Sequence, residues 1–125
     1  MDELIELLEA SANACNNFIK SEIALNDGDV EAGQKNSRDG QVLVRALIND
    51  TFKELEEQLG ENDGQTNDYD YPNNFELIRS LNELNMYVGG ILAAEDDENI
   101  KKIVKKQLMH TINTVKEIYA ALYEN

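Results

Sequence analysis

"DVEAGQKNSRDG", residues 29–40, is the stretch on which the fold turns. It is polar, it carries Gly33 and Gly40, and Val30 is its only aliphatic side chain larger than alanine. Two readings compete. In one, Asp29 caps a long second helix whose first turns protrude or pack poorly. In the other, the segment is loop and the helix begins near Asp39 or Gly40. A glycine inside a helix costs about 1 kcal/mol relative to alanine, which weighs against the long version without excluding it.

On either side the pattern is clearer. Residues 2–26 place Leu4, Leu8, Ala12, Cys15, Ile19 and Ile23 at steps of four and three, the repeat of a helical stripe. Asp2, Glu3, Glu6 and Glu9 suit its positive end, and Gly28 in "NDGD" suits its stop. Residues 41–59 repeat the pattern with Val44, Leu47, Ile48, Phe52, Leu55 and Leu59, and Gly60 ends it. A third helix is expected over 74–94, entered through Pro72 with Asn73 or Asn74 as cap, and Gly89-Gly90 should interrupt it late. A fourth is expected over 97–123, with Ile100, Ile103, Val104, Leu108, Thr111, Ile112, Val115, Ile118, Tyr119 and Leu122 as its stripe. No segment alternates like a strand. Four amphipathic helices can bury their stripes only against one another. The expected fold is therefore an all-α, up-down-up-down four-helix bundle occupying residues 1–125 as one domain. Leu8, Cys15, Ile19, Leu47, Leu55, Leu81, Val88, Ile103 and Val115 are its expected core.

Between the second and third helices lies "ENDGQTNDYDYPNNF", 61–75, with four acids, five amides, two tyrosines and the only proline. Thirteen structureless residues is long for a plain connector. Tyr69 and Tyr71 among acids are amphipathic groups of the kind that anchor interfaces.

Charge narrows the function. The chain has 25 acids and 11 bases, a net −14. That disfavours gripping phosphates directly, so no nucleic-acid partner is expected, and an anionic membrane would repel it. It suits a protein partner with a basic surface. The charge is uneven: 1–100 hold 23 acids and 6 bases (−17), while 101–125 hold 2 acids and 5 bases (+3). Pairing of acidic and basic faces within the bundle would account for this. Lys101, Lys102, Lys105 and Lys106 read as lysines whose stems cover the border of a buried stripe. No apolar run is long enough to span a bilayer. "MDELIELLEA" has acids where a targeting peptide needs bases, so a cytoplasmic location is expected.

Several chemistries lack their residues. Cys15 is the only cysteine, so no internal disulfide or cysteine-built metal site can form. His110 is the only histidine and reads as a surface or boundary residue, and the paired Glu-x-x-His signatures of diiron bundles are missing. No phosphate-cradling glycine motif occurs. The acidic loops at Asp27 and Asp63 put Arg38 and Asn74 where a calcium loop needs glutamate. No cofactor and no enzymatic activity are expected.

Residues 18–48, "FIKSEIALNDGDVEAGQKN…QVLVRALI", resemble the first hairpin of flagellin export chaperones. Those are small acidic four-helix bundles with an Asn/Asp-rich turn between the first two helices and an aliphatic cluster late in the second. The chain departs from them in lacking their N-terminal extension. It has Leu7-Leu8 where they carry a Leu-Tyr pair, and "LNELNMYVGG" where they carry a tyrosine-rich segment. The likeness implies a bundle that acts by covering another protein, and carries over no site residues. The expected function is a non-enzymatic adaptor, chaperone or inhibitor that binds a protein through an acidic surface. The alternatives are an acidic mimic of nucleic acid that occupies a partner's DNA- or RNA-binding groove, and a small-molecule or metal-binding bundle. The candidate contact residues are Glu54, Glu57, Glu61, Asp68, Tyr69, Asp70 and Tyr71, because the loop continues the acidic end of the second helix.

Overall fold

The computed structural model describes residues 2–60 and 62–124, and these form an all-α four-helix bundle without strands. Helix α1 is Asp2–Asn26. Helix α2 runs over 30–59 as two α-helical stretches, Val30–Ala46 and Phe52–Leu59, joined by a π-helical turn at Leu47–Thr51. Helix α3 is Asn74–Ala94 and helix α4 is Glu98–Tyr123. None of them is long and apolar enough to cross a membrane.

The disputed stretch 29–40 is helix. Gly28 (φ +84°) closes α1: its N–H reaches the Leu25 carbonyl and the Asp29 N–H reaches that of Ala24 at 2.8 Å. This is a paired C-terminal cap that needs glycine's left-handed freedom. Asp29 then opens α2, its carboxylate accepting from the Ala32 N–H at 3.1 Å. The two glycines are not breaks. Gly33 and Gly40 are buried against α1, where a Cβ on Gly40 would stand 2.9 Å from the Phe18 ring. The Ser21 hydroxyl donates to the Gly33 carbonyl at 2.7 Å. The helical propensity lost at these positions is offset by close approach of two backbones. Gly89-Gly90 likewise fails to interrupt α3, which continues to Ala94 with Gly90 packed beside Val104.

The π turn has a sequence cause. Leu47 and Phe52 are both fully buried yet five positions apart, too far for one α-helical stripe. The extra residue is absorbed where the Phe52 N–H donates to the Leu47 carbonyl, five residues back.

The core of α1 also differs from the expected stripe. Leu4, Leu7, Ser11, Ala14, Phe18 and Ser21 are buried. Leu8 and Cys15 are only partly buried, and Ile19 is 38% exposed. Leu4 is buried as expected, but Leu8, Ala12, Cys15 and Ile19 each have a neighbour one position earlier (Leu7, Ser11, Ala14 and Phe18) that packs inward in their place. Leu47, Leu55, Leu81, Val88 and Val115 are buried as expected, whereas Ile103 is 67% exposed. On α4 no residue is buried before Leu108.

The order of helix directions is a correction to the up-down-up-down path. Helix α1 is antiparallel to α2, as Ser21 with Gly33 and Phe18 with Gly40 show. It is also antiparallel to α3, since the amide of Asn85 donates to the Leu8 carbonyl, the Cys15 thiol faces that of Ile78, and Asn74 donates to Glu22. Helices α2 and α3 therefore run parallel, and the path is up-down-down-up. The connection between them must climb the bundle. Leu55 lies beside Leu4 at one end and Asn74 beside Glu22 at the other. The rise from Leu4 to Glu22 is about 27 Å at 1.5 Å per residue, which takes at least about eight extended residues to retrace. The length of the 60–73 connection follows from this.

Candidate functional site

The crossover is held down along its course. The side chains of Asn62 and Asn113 exchange hydrogen bonds at 2.8 and 2.7 Å, and Asn113 also donates to the Gln65 carbonyl. The Asn67 backbone N–H donates to Thr114 Oγ1 at 2.7 Å, and its side-chain amide donates to Thr111 Oγ1 at 2.6 Å. Both threonines are buried on α4, and each also donates to its own helix, to Gln107 and His110 carbonyls. Tyr69 donates to Glu117, and Arg79 of α3 donates to the Asp68 carbonyl at 2.7 Å. Loops normally leave such groups to water; here extended backbone is stitched to a helix by short polar side chains. No buried side-chain nitrogen or oxygen among the described residues lacks a partner.

His110 is a corrected expectation. It is buried, not a surface residue, and its Nε2 lies 3.2 Å from Asp63 Oδ2. The Asp63 carboxyl is held below its ordinary value, first by the Gln65 backbone N–H, then by the His110 hydrogen bond. Glu117 at its hydroxyl pushes the Tyr69 phenol up. Cys15 is half-buried, and burial pushes its thiol up. It faces the Ile78 carbonyl on α3, whereas His110 faces the crossover on α4, so the two do not form a nucleophile–base pair. Among the described residues no three His, Cys, Asp or Glu side chains converge as a metal site would need.

The expected contact residues are divided by the fold. Glu54 and Glu57 are exposed on the last turns of α2, while their neighbour Glu56 pairs with Lys116 of α4. Glu61 lies outside the described residues. Asp68, Asp70 and Tyr71 belong to the other end of the bundle, where the crossover meets the start of α3. Asp68 and Asp70 are exposed, Tyr71 is 66% exposed, and Tyr69 is partly buried and packed against the core. Neighbours in sequence thus end up roughly a bundle length apart.

Missed from the sequence is the outer face shared by α1 and α3. The stripe read as core (Leu8, Ala12, Cys15, Ile19 and Ile23) is a second apolar stripe, turned toward α3 and solvent. Ile23 is 57% exposed, and Phe75 on α3 is 68% exposed. They sit beside the Glu22–Asn74 hydrogen bond that joins the two helices at 3.0 Å. The signal was present in residues 2–26, which carry more apolar positions than one stripe can use.

No protein-family model, no curated protein and no solved structure matches this chain.

Proposed function

We propose that this small all-helical globular domain is a non-enzymatic protein-binding bundle that engages its partner through the α1–α3 face and the adjoining end of the crossover. One observation carries the reading: Ile19, Ile23, Tyr71 and Phe75 leave large apolar surface in water at one end of the bundle. Single exposed apolar residues are ordinary, but several gathered at one end, including two aromatics, suit a contact surface. Around them stand Glu22, Asp27, Asp68 and Asp70, so the fitting partner presents apolar groups ringed by lysine or arginine. The acids would speed encounter, and the aromatic and aliphatic groups would supply the desolvated anchors. An acidic mimic of nucleic acid needs ordered charge without an apolar centre, so these four side chains favour the first reading.

The test is affinity capture from the source cell with wild-type protein, followed by measured binding of the captured partner to variants. Phe75→Asp and Ile23→Asp should each abolish binding while leaving the thermal melt unchanged. Tyr71→Ala should weaken it more than Asp70→Asn. Unchanged binding by both aspartate variants would remove the α1–α3 face from the contact. If Glu54→Gln with Glu57→Gln abolished binding instead, the opposite end of the bundle would be the site.

A further inference from the structure

We propose that the end of the bundle where α4 begins binds an amphipathic organic anion, with an aliphatic tail among the ends of α1, α2 and α3 and a carboxylate-like head among lysines of α4. The observation is a misfit in α4. Its buried positions, Leu108, Ile112, Val115 and Tyr119, step back by threes and fours toward 104/105 and 101. Those positions hold Val104, Lys105 and Lys101, so lysines stand where core residues belong. Lys101 and Lys105 are only partly exposed, and they border a cavity of about 170 Å³ whose other walls include Leu4, Leu55, Leu59 and Ile91. Leu59 and Lys105 also line a second, larger cleft of about 600 Å³, floored by Met109 and edged by Lys102, Lys106 and His110. An apolar recess thus lies beside a basic one, with Leu59 and Lys105 lining both.

Most of these charges have no ion-pair partner among the described residues, although Asp63 feels the charge of Lys106. Lys101 reaches Glu98 only at 3.8 Å, and Lys102, Lys105 and Lys106 have no carboxylate within 4.0 Å among the described residues. Among the described residues the one ion pair between different helices is Lys116 with Glu56. The expected pairing of an acidic with a basic face therefore does not account for this cluster. Two acids do line the larger cleft: Glu98, on Lys101, and Asp63, already occupied by His110 and the Gln65 N–H. A mostly apolar pocket with a few convergent polar groups is the usual form of a small-molecule site, and here the convergent groups are cations. The net charge of −14 opposes long-range approach of an anion, but charges beyond a Debye length of about 8 Å are largely screened at physiological salt. The adjacent lysines then decide.

The probe is decanoate below its micellar concentration, followed by calorimetry and by amide NMR shifts, with acetate and decanol as controls. Saturable binding is expected, with shifts centred on Leu59 and 101–110. Acetate lacks the tail and decanol the charge, and each should bind at least about tenfold more weakly. Changing Lys102, Lys105 and Lys106 together to glutamine should weaken decanoate by about tenfold or more, since the charge-assisted hydrogen bonds to its carboxylate are lost. If that triple variant fails to fold, the exposed Lys102→Gln alone carries the test. Equal binding of acetate and decanoate, affinity unchanged by the lysine substitutions, or shifts centred on Ile19 and Phe75 would each overturn the proposal. Phosphatidylglycerol vesicles separate the sources. Binding of both decanoate and vesicles assigns the head to a lipid, and decanoate alone assigns a free acid. Vesicle binding without decanoate binding means surface adsorption and overturns the site.

Discussion

Gly40 lies against the ring of Phe18 so closely that a methyl group there would stand 2.9 Å from two ring carbons. The contact sets the separation of α1 and α2. It also distinguishes two glycines that look alike in sequence. Phe18 is fully buried and cannot retreat, whereas the Leu25 side chain facing Gly33 is 42% exposed and free to swing away.

Gly40→Ala should therefore destabilise the protein by about 1–3 kcal/mol, the range for overpacking a core. Gly33→Ala should be close to neutral, because its helical gain of about 1 kcal/mol offsets the displacement of Leu25. Denaturant midpoints of the two variants check this. Equal effects would mean that Gly40 is not the tight point.

The stripe on α1 has a direct test. Phe18→Ala should cost about 3–5 kcal/mol and Leu7→Ala about 2–5, while Ile19→Ala should cost less than either, since Ile19 is 38% exposed. The reverse order in urea melts would restore the phase read from the sequence.

Seating of the crossover depends on Thr114. Thr114→Val keeps the shape and removes the acceptor for the Asn67 N–H. The expected cost is about 1–3 kcal/mol, the penalty for stranding a donor, together with faster amide exchange at Asn67. Unchanged exchange there would show that the crossover is not held by this bond.

Asp63 gives a pH dependence whose sign is set. Its folded carboxyl titrates below the ordinary value of about 3.9. The stabilisation it provides is present above that value and is lost as pH falls through the lower folded value. Asp63→Asn should lower stability at neutral pH and flatten the acid limb in that window, so that variant and wild type converge at low pH. A limb of the same steepness in the variant would assign the acid sensitivity to other carboxylates.

Much of this was legible in the sequence, and the failures have particular causes. Four helices, three of their caps and half of the core positions followed from period and turn chemistry. The phase of α1 did not, because Leu7-Leu8, Ala14-Cys15 and Phe18-Ile19 each present an apolar residue to two faces. Ser11 and Ser21, which satisfy themselves on the Leu8 and Gly33 carbonyls, disguise the face that is buried. The direction of α3 was equally hidden. A polar connector of that length reads the same whether it turns back at once or climbs the bundle, and the contacts that fix the direction of α3 join residues 52 to 77 positions apart. Thr111 and Thr114 within an apolar stripe were the available clue. The division of Glu54 and Glu57 from Asp70 and Tyr71 follows from that climb.

The crossover also orders events in time. Helices α1 and α2 meet through neighbours in the chain, so they can associate early, but the crossover's resting place is α4, synthesised after it. Its amide and hydroxyl contacts can form only once the last helix has docked. Contacts made late affect the rate of unfolding and leave the rate of folding nearly untouched. Thr114→Val should accordingly steepen loss of the native state without slowing its formation, while Gly40→Ala should slow formation. Stopped-flow refolding of the two variants would separate them, and a slowed folding limb for Thr114→Val would place the crossover among the first contacts made.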